Sequence, residues 1–174
     1  MSEDYGIFNS LIPPVFRNAE ITDFSKGVQE KAQLIVNGSS ALILGGNGIG
    51  KTYLAWAVAK QIKETGKRVK YFEAQRLLFD IKRQDDPYGY IDKLVEKYDC
   101  IIIDEIDKIF ESKADFIYLN SLVNQMWQWM KQIVALGNGT KEEFIGSLGQ
   151  SIYSRLRGNN GMDIILSGKD RRLG

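Results

Sequence analysis

A chain of 174 residues, 44% of them hydrophobic, is long enough for one domain with a substantial core. Its formal charge of +1 excludes attachment to a polyanion through bulk charge, so any nucleic-acid contact must come from a local basic patch. There is no histidine and Cys100 is the sole cysteine, which excludes an internal disulfide, a His/Cys zinc site and a histidine-based catalytic triad, and fits a reducing cytosol.

The N-terminal "MSEDYGIF" is acidic rather than apolar and does not read as a signal peptide, and no apolar run is long enough to span a bilayer. The expectation is a soluble, cytoplasmic protein with no membrane contact. Residues 1–24, with Pro13-Pro14, are expected as an N-terminal arm in extended conformation, and residues 25–174 as one domain. A helix is predicted from Ser25 to Val36, ended by Asn37-Gly38. After it, the apolar runs Ala41–Leu44, Val69–Phe72, Cys100–Ile103, Ile133–Leu136 and Ile164–Leu166 alternate with segments of helical period. Strands rich in Ile, Val and Leu with helices between them predict an α/β fold, a five-stranded parallel sheet between helices.

Between the first strand and its helix stands "LILGGNGIGKTYLAWAVAK". Gly45-x-x-x-x-Gly50-Lys51-Thr52 fits the phosphate-binding P-loop, or Walker A motif, in full. The loop Gly45, Gly46, Asn47, Gly48, Ile49 and Gly50 can curl so that backbone N–H groups point at phosphate oxygens, and the following helix adds its positive end. Lys51 would reach the β- and γ-phosphates, the Thr52 hydroxyl would bind Mg²⁺, and Tyr53 follows at the nucleotide. The implied cofactors are ATP and Mg²⁺; the alternative is an ordinary glycine turn.

"CIIIDEID" places Asp104-Glu105 at the end of an apolar strand, the pattern of a Walker B site. Asp104 would act on Mg²⁺ and Glu105 would polarise the attacking water as general base. The alternative is a buried strand that ends in acids, and Asp107 reads as a solvated helix-start acid. In the helix predicted from Asp115 to Lys131, the residues Phe116, Leu119, Val123, Met126, Trp127 and Met130 share one face, taken as the core face. Tyr118, Leu122, Gln125 and Trp129 form a second, semi-apolar stripe that either packs under another element or meets a partner. Trp56 reads as core.

"QIVALGNGTKEEF" ends a strand at Leu136-Gly137, leaving Asn138 where its amide could sense the γ-phosphate or its water; a plain Asn-Gly turn into a Thr140–Glu143 helix cap is the alternative. In "SIYSRLRGNN", Arg155 and Arg157 end a helix, where cations are favourable in any case; the functional reading is an arginine finger completing a neighbouring subunit's site.

Taken together, the arm "IPPVFRNAEITDF", "GGNGIGKTYLAWAVA", "IIIDEID", "GNGTKEEF", "SIYSRLRG" and "LSGKDRR" resemble the AAA+ replicative helicase loaders of the DnaC/DnaI type and the related transposition helper IstB. The resemblance implies a P-loop NTPase of AAA+/ASCE type, an ATPase domain over 25–174, with Lys51 and Thr52 at phosphate and Mg²⁺, and Asp104 and Glu105 in hydrolysis. It implies Asn138 as first sensor, Arg155 as finger and Arg172 as candidate second sensor. An inserted helix that touches single-stranded DNA would fall around Arg76 to Lys97, where Lys82 and Arg83 are either phosphate contacts or a solvated basic face. The implied partners are a replicative DNA helicase, single-stranded DNA and, on assembly, further copies of the chain. Two departures stand out: only a short arm precedes the core, and the chain stops after "GKDRR", so no C-terminal lid domain is expected. Helicase contact would fall to the arm (Tyr5, Ile7, Phe8, Leu11, Ile12) or to a surface of the core. The rival functions are an IstB-like transposition helper and a nucleotide-switched binding module with weak hydrolysis; a metabolite kinase fits less well, because Glu105 directly after Asp104 suits water activation.

Overall fold

Strands of Ile, Val and Leu with no polar face need cover on both sides, and a parallel sheet between helix layers supplies it. The computed structural model of the chain describes residues 12–108, 112–158 and 160–168; Tyr5, Ile7, Phe8, Leu11 and Arg172 lie outside them. Five strands, β1 (Ala41–Leu44), β2 (Val69–Glu73), β3 (Cys100–Asp104), β4 (Gln132–Gly137) and β5 (Met162–Ile165), form one sheet in the order β2-β3-β4-β1-β5. Every pairing is parallel. All residues of β1, β3 and β4 are buried, as the unbroken apolar runs require. Burial pushes the Cys100 thiol up to about 12, so it behaves as a small core hydrophobe.

Helices α1 (Lys26–Val36), α2 (Lys51–Glu64), α3 (Ala74–Lys82), α4 (Pro87–Lys97), α5 (Lys113–Gln128) and α6 (Lys141–Arg157) connect the strands. Two hydrophobic clusters result. One joins α1 and α2 to β1 and to Ile12, Ala19, Ile21 and Phe24; the other joins α3 to α6 on the opposite face. Residues 12–24 thus follow single 3-10 turns at Pro14–Phe16 and Ile21–Asp23 rather than a free extended path. Ile12 is spent in the core and is not open to a partner.

The core face of α5 differs from the expected one. Leu119, Leu122, Val123 and Met126 are buried, whereas Trp127, Trp129 and Met130 are exposed. The apolar stripe is centred on Leu119 and Met126, which brings Leu122 inward and leaves Trp127 on the flank. The helix also stops at Gln128, and Met130 has a left-handed backbone (φ 52°), so the helical period does not extend to it. Trp56 is core, stacked on Tyr71 with centroids 4.2 Å apart. Among the described residues no helix is long and apolar enough to cross a membrane.

Candidate functional site

The strand order sets β4 between β1 and β3, so the loops leaving these three strands meet at one end of the sheet, where parallel sheets place their ligands. There a cleft of about 760 Å³ is lined by Asn47, Gly48, Gly50, Lys51, Thr52 and Tyr53 after β1, Asp104 and Glu105 after β3, and Leu136, Gly137 and Asn138 at β4. Val15, Phe16 and Asp23 close it from the N-terminal segment.

Two glycines make the loop possible. Gly50 caps α2 with φ 103°, and Gly45, at φ 146°, approaches so closely that a Cβ would lie 2.4 Å from the Leu166 carbonyl oxygen. Lys51 Nζ donates to the carbonyl oxygens of Gly45 (2.9 Å) and Gly46 (2.6 Å) and to Asn138 Oδ1 (2.9 Å). The ammonium is thus held over the loop that would cradle phosphate. Ile49 turns its side chain into the core, so only its backbone serves the loop. The Tyr53 hydroxyl lies 2.8 Å from Asp23 Oδ2 and 3.1 Å from the Asn18 carbonyl oxygen, tying the N-terminal segment to α2.

Asp104 is buried and well satisfied. Its Oδ2 accepts from Thr52 Oγ1 (2.7 Å) and from the Tyr71 hydroxyl, and its Oδ1 from the backbone N–H of Glu105 (2.8 Å). Burial first, and then the charge of Asp104, hold the Tyr71 phenol far above its ordinary pKa, so it is a donor here. Thr52 and Asp104 fit Mg²⁺: both are hard oxygen donors, adjacent, beside the phosphate loop. No group of three or more His, Cys, Asp or Glu able to hold a metal exists among the described residues.

Glu105 is set differently. Its backbone is left-handed (φ 56°) and its exposed carboxylate is ion-paired with Lys108 Nζ. The hydrogen bond to Glu105 raises the pKa of Lys108.

Asn138 lines the cleft, and Thr140–Glu143 forms its capping box. Asp107 is not a solvated acid: its Oδ1 accepts from the Asn138 N–H and its Oδ2 from Asn138 Nδ2, each at 3.0 Å. The pair is 31 residues apart in sequence and no spacing rule announces it. Tyr71 was equally silent, being an aromatic in mid-strand.

Arg155 is not brought to the cleft. α6 starts at the cleft end, kinks at Gly149 and runs back, leaving Arg155 at the other end of the sheet. There its Nε donates to Asn124 Oδ1 (2.7 Å), its Nη1 to the Ser151 carbonyl oxygen (2.9 Å), and its guanidinium lies 6.0 Å from the Trp127 ring centroid. Lys82 forms an ion pair with buried Asp115 (2.7 Å). Arg83 and Arg76 both lie over the exposed ring of Phe79, at 5.2 and 5.5 Å.

The profile of IstB-like ATP binding proteins matches residues 21–140. The replicative helicase loader DnaC of Escherichia coli K12 is 24% identical over 152 residues, which cover 85% of this chain; the chain spans 62% of that protein's length. A crystal structure of the DnaC helicase loader superposes with a TM-score of 0.76 at 17% identity, covering 89% of this chain and 100% of that one. A crystal structure of DnaI gives 0.75 at 18% identity, covering 93% and 95%. The replication initiator DnaA, bound to AMPPCP and single-stranded DNA, gives 0.74 at 16% identity, covering 91% of this chain and 52% of that one. The fold is therefore the AAA+ P-loop fold, with the five-stranded parallel sheet expected of it.

Proposed function

The chain belongs to the family of IstB-like ATP binding proteins, and on that premise we propose that it is a Mg²⁺-dependent ATPase that engages a replicative DNA helicase and helps place it on single-stranded DNA. The nucleotide part of the reading rests on the cleft. Lys51 exchanges loop carbonyls for phosphate oxygens, and Thr52 with Asp104 presents paired oxygens to the ion. Bound Mg²⁺ would offset charge on the phosphates. Glu105, released from Lys108, is the general base for water. Asn138, aimed by Asp107, offers Oδ1 to that water once Lys51 has turned away.

The loader part rests on one observation: Phe79 stands exposed on α3 between two guanidinium groups. An aromatic face flanked by arginines is a stacking platform for unpaired bases next to phosphate contacts. Lys82, paired with Asp115, is less free for that role than Arg83. DnaC is by its name a helicase loader, and the DnaA structure holds single-stranded DNA; both facts support the assignment without transferring residues.

The test is capture of the host replicative helicase by the tagged protein with and without ATP, alongside binding of labelled single-stranded DNA to wild type and Phe79→Ala. Helicase capture that depends on nucleotide, with DNA affinity reduced about tenfold in the variant, is expected. Capture of a transposase instead favours the transposition helper. Arg155 serves as a finger only if a second copy delivers it. Mixing Arg155→Ala with Lys51→Ala should restore turnover under assembling conditions, and a mixture that assembles yet stays inert reduces Arg155 to a helix-end charge.

A further inference from the structure

One side chain reaches the cleft from a strand that bears no motif. Tyr71 is in the middle of β2, and its register partner on β3 is Ile102. It therefore shares a face of the sheet with Asp104, two residues further along β3. Its ring stacks on Trp56 of α2 at an interplanar angle of 17°, so the phenol cannot swing freely. Its hydroxyl donates to Asp104 Oδ2, the same oxygen that accepts from Thr52 Oγ1 at 2.7 Å.

We propose that Tyr71 is a positioning residue for the divalent cation, clamping Asp104 Oδ2 against Thr52 Oγ1 so that both oxygens meet Mg²⁺ in one fixed arrangement. The proposal rests on the nucleotide-binding reading above. A carboxylate at a strand end has two rotatable bonds, and Thr52 alone would steady a single oxygen from one side. Tyr71 adds a second donor from β2, while the N–H of Glu105 fixes the other oxygen at 2.8 Å. Three donors from three segments leave Asp104 one orientation. Metal binding then needs no reordering of its ligand, and the cost of assembling the site is lowered.

Tyr71→Phe keeps the stack on Trp56 and removes only the hydroxyl. The readout is the affinity for a fluorescent ATP analogue, first in EDTA and then across a Mg²⁺ titration. Affinity in EDTA should equal wild type, and the half-saturating Mg²⁺ concentration should rise about three- to tenfold, the net worth of one hydrogen bond felt through the orientation of Asp104. An unchanged Mg²⁺ midpoint, with Lys51→Ala still abolishing binding, overturns the proposal and leaves the nucleotide site standing. If wild type fails to bind the analogue, or Lys51→Ala binds as well as wild type, the nucleotide reading falls and this proposal with it.

Discussion

Asp104 is 6% exposed and receives donors from α2, from β2 and from the next peptide, whereas the side chain of Glu105, its neighbour in sequence, is 48% exposed and held by Lys108. The first setting is interlocked: moving Asp104 breaks several contacts at once. The second is loose, because an exposed ion pair between flexible side chains is worth little and weakens further in salt. The group assigned to binding is thus built into the sheet, and the group assigned to hydrolysis is parked on the rim. Nucleotide capture and turnover should therefore be separable by mutation.

The largest effect should come from the interior. Lys51→Ala removes the cation around which the loop is folded, and equilibrium titration with a fluorescent ATP analogue should find no measurable binding; near wild-type affinity would sink the P-loop assignment. Next comes the rim acid itself. Glu105→Gln should bind the analogue as wild type does, yet steady-state turnover should fall by about 10²-fold, as loss of a general base implies. If turnover is unchanged, the base is another residue and the contrast between the two acids has no catalytic meaning. Smallest is the tether. Lys108→Ala should raise turnover about two- to fivefold at low ionic strength, with the gap closing in high salt, as expected of an exposed pair. A variant no faster than wild type at low salt would show that Lys108 does not restrain Glu105 in solution.

The inner strands were readable because a doubly covered parallel sheet demands unbroken apolar runs: Ala41–Leu44 has the same bounds in sequence and structure, and β3 and β4 gained only polar or glycine ends, whereas the edge strand β5 runs Met162–Ile165 rather than Ile164–Leu166. The loop at Gly45 to Thr52 and the acids at 104 and 105 were readable because their chemistry fixes local spacing. Contacts between distant segments were not. Asp107 and Asn138, or Tyr71 and Asp104, meet only once β3 has taken its place beside β2 and β4, and no local pattern encodes that. The exposed Trp127 was misplaced for a related reason. Periodicity gives a stripe but not its centre, which the neighbouring elements decide.

The place of β1 between β4 and the edge strand β5 has a consequence for how the chain comes into being. Ala41 pairs with Val134 on one side and with Met162 on the other, so both neighbours of the phosphate-loop strand are made after it. At ribosomal speeds the wait for Met162 is roughly 6–24 s. Through that interval β2 and β3 can zip together with their helices, while β1, apolar on both faces, has no mate until β4 is made and keeps its other edge bare until β5 follows. The nascent chain thus carries this strand with an unpaired edge until Met162 is made, and the nucleotide cleft, whose lining reaches to Asn138, forms no earlier than β4.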